Sequence, residues 1–254
     1  MQVLVIEVGN WDVRVFVTGE SEAHTFPSGP TLTPRQMVIE VKKTAANWNY
    51  DVVSIGYPGL VLRHRVVMES RDLGRGWVSF DYEAAFGRPV EIISCAAMQA
   101  LGSYKGGQML FLCLETRLGS ALVANDNAIP LELGQLPYKK GTFEDYLGLC
   151  GMQRLGKKKW RHHVASGVAR LIAALHADDV VIGGWNARKL KQLPAGCRAY
   201  DDDSGLLGGC RLWEHVGNRQ PPFYGRFVQN NHRRQKDNGY GSYTRTNYRE
   251  APAH

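Results

Sequence analysis

The chain has 254 residues, 44% of them hydrophobic and 10% aromatic, with a net charge of +7. That is enough apolar material for one substantial core or two smaller lobes, and it excludes a disulfide miniprotein and a fully disordered chain. No apolar run approaches the ~20 residues a bilayer span needs, and MQVLVIEVGNW has no basic stretch ahead of an apolar one, so a cytoplasmic protein without membrane contact is expected.

In chain order, Gln2 to Val8 and Val13 to Val17 are β-branched runs split by Gly9-Asn10-Trp11-Asp12, the pattern of a hairpin, and Ser21 to Phe26 can add a third strand. Thr33-Pro34 followed by Gln36 is a helix start, with apolar spacing continuing to about Trp48. Asp51 to Ile55 reads as a buried strand closed by Gly56-Tyr57-Pro58-Gly59. A loop-rich stretch around Asp72 to Trp77 leads to a short helix near Tyr82 to Phe86, a strand at Val90 to Ile93 and a helix from about Cys95 to Tyr104.

A second set of three strands follows at Gln108 to Leu114, Leu118 to Ala124 and Ala128 to Leu131. Helices are expected at about Phe143 to Leu149 and Lys158 to His176. Strand Asp179 to Ile182, a glycine turn, helix Asn186 to Gln192 and a last helix near Ser204 to Val216 complete the series. Hairpin, strand, helix, strand, helix thus occurs twice, which predicts two similar α/β lobes with a cleft between them. The boundaries are drawn at 1–104 and 105–216, with the last helix able to return to the first lobe.

Residues 217–254 hold seven basic residues against Asp237 and Glu250 and contain no Leu, Ile, Met, Trp or Cys. Such a stretch cannot offset its ordering entropy by burial, so a disordered tail is expected. Its arginines lie among Phe223, Tyr224, Phe227, Tyr240, Tyr243 and Tyr248. That mixture leaves two readings open, a soluble tail or a contact with a polyanion such as RNA or polyphosphate. The five cysteines lie at wide spacings without a CxxC pair and read as reduced thiols, and no structural zinc is expected. His162 and His163 are adjacent on a helix, point to different faces and cannot chelate one ion together.

Blocks in order along residues 2–216 carry a resemblance: VLVIEVGN, SIGYPGLV, DLGRGWVSFDYEAAFGRPVEII, AAMQALGSY, LGSALV, LELGQLPY, EDYLG, RLGKKKWRHHV and VVIGGWNARKL. They resemble the ROK family of sugar kinases, most closely its polyphosphate- or ATP-using glucokinase-like branch. The resemblance implies the two-lobed actin/hexokinase-like (ribonuclease H-like) fold, a hexose substrate, Mg²⁺ with ATP or polyphosphate, and a homodimer as in many relatives.

The resemblance also marks departures. The first phosphate turn should read Asp-x-Gly-Gly-Thr, where the carboxylate helps hold Mg²⁺; here it is Glu7-Val8-Gly9-Asn10-Trp11. Trp11 is either an aromatic on a hairpin tip or a block in the pocket. The second turn, expected as Gly-Thr-Gly, is Glu115-Thr116-Arg117, with Arg117 open to pairing with Glu115, to contacting phosphate or to forming a plain polar tip. Where an Asn-Asp pair should supply the general base, the chain has Ser94-Cys95. Cys95 is then either a thiolate substitute at a helix start or an inert thiol.

On the sugar side the resemblance assigns Glu132 to the hexose hydroxyls and Gly59 to the facing loop, with Asp72 in place of Asn and Gln135 in place of His. Gly183-Gly184 matches the adenosine turn, where Trp185 stands in place of the third glycine and either stacks on a base or, the favoured reading, fills an empty nucleotide pocket. Three functions follow: a pseudokinase keeping part of a hexose cleft, a working sugar kinase, or a polyanion-binding adaptor acting through the tail.

Overall fold

A computed structural model describes residues 1–214; the expected tail from 217 lies outside the described residues. The first half contains β1 (Val3–Val8), β2 (Asp12–Val17), β3 (His24–Pro27), α1 (Pro34–Thr44), β4 (Val52–Tyr57), β5 (Val61–Leu62), β6 (Arg65–Val66), α2 (Tyr82–Phe86), β7 (Val90–Ser94) and α3 (Cys95–Ser103). The second half contains β8 (Gln108–Leu114), β9 (Leu118–Ala124), β10 (Asn127–Leu131), β11 (Pro137–Tyr138), β12 (Gly141–Thr142), α4 (Phe143–Leu147), α5 (Leu149–Leu175), β13 (Asp179–Gly183), β14 (Cys197–Ala199) and α6 (Ser204–Arg211).

Each half builds a five-stranded sheet, in the order β3-β2-β1-β4-β7 and β10-β9-β8-β13-β14. In both, three antiparallel strands continue into two parallel ones, so the second sheet repeats the first. The strands follow their side chains. β1 (VLVIEV) is central and buried along its whole length, whereas β2 alternates, with Val13, Val15 and Val17 buried and Asp12, Arg14 and Phe16 on the other face. Helix α1 begins at a capping box in which Thr33 accepts from the Gln36 N–H and Gln36 accepts from the Thr33 N–H, with Pro34 at the first helical position.

The two sheets meet through α3 and α6, which cross at backbone contact. A side chain at Gly102 would strike the Ser204 carbonyl, and one at Gly208 the Met98 carbonyl. α6 also packs on the first sheet, where Ser54 Oγ donates to the Gly209 carbonyl at 2.6 Å and accepts from Trp213 Nε1 at 2.9 Å.

Four local expectations are corrected. The helix expected over Asn186 to Gln192 is only a 3₁₀ turn at Ala187–Lys189, because the Asn186 N–H donates to the Leu114 carbonyl and ties the segment to β8. Cys197–Ala199 is a strand, too short and too close to Pro194 and Gly196 to stand out in sequence, and it pairs in parallel with β13. α5 starts at Leu149, nine residues ahead of the expected position, and breaks at Gly156, where φ is +74°. α6 ends at Arg211, short of Val216. The small hairpins β5–β6 and β11–β12 carried no sequence signal.

Candidate functional site

The turns that leave β1 and β8 enter one cleft of about 1250 Å³ between the two sheets. It gathers every residue that the resemblance assigns to the site except Gln135: Glu7, Gly9 and Asn10 from the first turn, Gly59 and Asp72 from the loop after β4, Ser94 and Cys95 from the β7–α3 junction, Thr116 and Arg117 from the second turn, Glu132 after β10, and Gly183-Gly184 after β13. Gln135 is exposed outside the lining, because the 3₁₀ turn Leu133–Gln135 rotates it away from Glu132.

Glu7 sits at the floor and is buried. Gln99 Nε2 donates to one carboxylate oxygen at 2.7 Å, and Arg14 Nη1, directly across the β1–β2 ladder, lies 3.6 Å from the other. The first turn of α6 closes the remaining side, since a side chain at Gly205 would collide with the Glu7 carboxylate. Burial pushes the Glu7 carboxyl above the usual 4.5, against the hydrogen bond from Gln99 and the charge of Arg14. Arg14 is itself held by the Asp202 carbonyl at 2.6 Å and the Asp203 carboxylate at 2.9 Å.

Cys95 opens α3 beneath Ser94, whose hydroxyl caps the helix by accepting from the Ala97 N–H. A helix start ordinarily favours a thiolate. Here the Cys95 Sγ donates to the Val8 carbonyl at 3.2 Å, and burial, then the charges of Glu7 and Glu115, hold its pKa well above 9.0. It is a protonated thiol at neutral pH.

The second turn is internally satisfied. Arg117 pairs with Glu144 at 3.5 Å and not with Glu115, which corrects one of the options for it. Burial first, and then the charges of Asp12 and Asp72, raise the Glu115 carboxyl above 4.5. Asn186, buried, donates from Nδ2 to the Glu115 carbonyl at 3.0 Å and accepts from Lys189 Nζ at 2.7 Å. Gly184, at φ +86°, lies so close to the Leu114 backbone that a side chain there would come within 2.8 Å. Trp185 does not fill a pocket: it is 65% exposed, with the Arg188 guanidinium over its ring at 5.2 Å. Trp11 is 86% exposed on its hairpin tip and lines the cleft without plugging it.

At the other end, Glu132 is exposed and Asp72 half-buried, and among the described residues no group pairs with either carboxylate. The loop that presents Asp72 is held by Tyr57, whose hydroxyl donates to the Met68 carbonyl and accepts from the Ser70 N–H, and by Glu69, whose carboxylate accepts from the N–H groups of Gly76, Trp77 and Val78. Arg14, Gln99, Glu69 and Asn186 were missed in sequence. The one available signal was Arg14, a charge on the half-buried face of an otherwise apolar strand.

The Mg²⁺ implied by the resemblance does not fit these donors. Glu7 has one oxygen hydrogen-bonded by Gln99 and the other 3.6 Å from the Arg14 guanidinium, so neither is open to a hydrated Mg²⁺.

Neither a protein-family model nor a curated protein matches the sequence. Solved structures do match. A polyphosphate/ATP-glucomannokinase from Arthrobacter sp. strain KM superposes at TM-score 0.70 with 18% identity, over 84% of this chain and 99% of its own. The ROK hexokinase from Thermus thermophilus gives 0.67 and 19%, over 86% and 100%. A ROK family glucokinase from Streptomyces griseus, solved with glucose and AMPPNP, gives 0.67 and 14%, over 84% and 99%. The chain has the fold of ROK sugar kinases. The two-lobed actin/hexokinase-like architecture implied by the resemblance is thereby met. Among the described residues no helix is long and apolar enough to cross a membrane.

Proposed function

We propose that this chain is a ROK-like protein that binds a hexose and has lost phosphoryl transfer. The observation that carries the reading is Cys95. At the position where the family places its base, a thiol donates to the Val8 carbonyl, and burial first and then two nearby carboxylates disfavour its ionisation, so it is unsuited to take a proton from a sugar hydroxyl. Loss of a general base alone costs ~10²- to 10⁴-fold in rate. The same fold in structures solved with glucose or with sucrose supports a hexose-type ligand. The unpaired carboxylates of Glu132 and Asp72 are suited to accept hydroxyl donors from such a ligand.

The test is glucose 6-phosphate formation with Mg²⁺ and either ATP or polyphosphate, run beside calorimetric titration with glucose. The expected result is saturable glucose binding without turnover, with affinity lowered roughly ten- to hundredfold in Glu132→Ala. Turnover by the wild type that Glu132→Ala abolishes would show instead that another group serves as base.

A further inference from the structure

The floor of the cleft supplies a cation of its own. Arg14 reaches Glu7 from the neighbouring strand, at the register position directly opposite, and its guanidinium is fixed on a second side by the Asp202 carbonyl and the Asp203 carboxylate. Gln99 takes the remaining oxygen of Glu7, and the backbone of α6 at Gly205 closes the approach. A divalent ion at Glu7 would have to displace a guanidinium held by three groups and rehydrate a carboxylate that the fold has buried. Mg²⁺, which demands near-ideal octahedral geometry and gives up its waters reluctantly, is poorly suited to do so.

The rest of the lining mixes both signs, and several of its cations already have partners: Arg188 pairs with Asp202 and Lys189 donates to Asn186, while Lys191 also lines the cleft. Asp12, Asp72 and Glu115 line the same cleft, the first two help raise the Glu115 carboxyl after burial, and Arg117 on the second turn is paired with Glu144. Without a metal to bridge them, these carboxylates disfavour a phosphate group placed directly beside Glu7 while remaining good acceptors for hydroxyl groups.

We propose that the Arg14 guanidinium stands in for the divalent cation at Glu7, so that the cleft excludes Mg²⁺ and takes an uncharged polyhydroxyl ligand without metal. This deepens the hexose reading and rests on it for the ligand class only. Arg14 acts here as a positioning residue, setting the charge and access of Glu7.

The test is Mn²⁺ binding to the full chain, followed by the paramagnetic resonance signal of the free ion, with thermal melts confirming that each variant is folded. Wild type and Arg14→Lys are expected to leave the Mn²⁺ signal unchanged through the millimolar range. Arg14→Ala is expected to gain one saturable site, and that site should disappear in the double variant Arg14→Ala, Glu7→Gln. Arg14→Gln serves the same purpose should the alanine variant not fold. Saturable Mn²⁺ binding by the wild type that Glu7→Gln removes, or silence of the folded Arg14→Ala and Arg14→Gln proteins, overturns the proposal. A second arm titrates glucose in EDTA and in Mg²⁺. Equal affinities support metal independence, and a tenfold gain with Mg²⁺ sinks it. If glucose fails to bind at all, the hexose reading falls, and the Mn²⁺ arm still decides the role of Arg14.

Discussion

The two ends of the cleft treat their polar groups in opposite ways. At the end of the two phosphate-like turns, Glu7, Asn186 and Arg117 each have a partner within the protein, and α6 lies directly against the Glu7 carboxylate. At the end lined by Glu132 and Asp72, both carboxylates face the cavity without a partner among the described residues, while the backbone that carries Asp72 is pinned by Tyr57 and Glu69. A group already satisfied gains little from a ligand. A fixed, unsatisfied acceptor gains the most, because no protein contact has to be given up first. The contrast locates residual binding capacity at one end of an otherwise continuous cavity.

The strongest way to break that contrast is to pry α6 off the Glu7 end. In Gly208→Ala the new methyl group meets the Met98 carbonyl. The expected loss is about 3 kcal/mol or more in urea unfolding, since backbone cannot yield as a side chain can. A change within about 0.5 kcal/mol would mean that the α3–α6 contact is looser than described.

Glu132→Ala sharpens the contrast from the other end. Losing a charged acceptor is worth about 1.5–3 kcal/mol. Glucose affinity should therefore fall roughly ten- to hundredfold, with little change in melting temperature. Arg117→Ala, at the satisfied end, should leave glucose affinity unchanged by the same titration.

Ser54→Ala removes a buried hydroxyl that both donates to Gly209 and accepts from Trp213. Leaving those groups unpaired should cost about 1–3 kcal/mol. The loss should appear equally in unfolding followed by tryptophan fluorescence and by circular dichroism.

The smallest expected effect is a pH dependence at Glu115. Its carboxyl lies above 4.5 in the folded protein, mainly through burial, so the native state holds that proton more tightly than the unfolded chain does. The associated stability is present below pH 4.5 and is lost as pH rises through the folded value. Glu115→Gln should consequently gain on the wild type as pH increases from about 4.5. Denaturant midpoints that stay parallel between pH 4 and 7 would remove this group from the account.

Much of the fold was legible because it is local and repeated. β-branched runs, the Thr33 cap and the second hairpin of the second half all announce themselves within a few residues. What stayed hidden was short or non-local. β14 exists only because β13 offers an edge with the right register, and the turn after Asn186 departs from a helix because Leu114 captures its N–H. The site divides in the same manner. The motif positions Glu7, Cys95, Glu132 and Gly184 could be picked out in sequence, and the structure assembles them in one cleft. Their partners could not be picked out, since Gln99 is 92 residues from Glu7 in the chain and Glu144 is 27 from Arg117.

By itself, then, the sequence determined the secondary elements, their duplication, and the residue types that stand where a phosphoryl-transfer site would need others. Only the tertiary structure decided the state of those residues. Whether a carboxylate is free or spent, and whether a thiol can ionise, depends on which groups from distant elements reach it and on how much water remains around it, and neither is encoded in its neighbours along the chain.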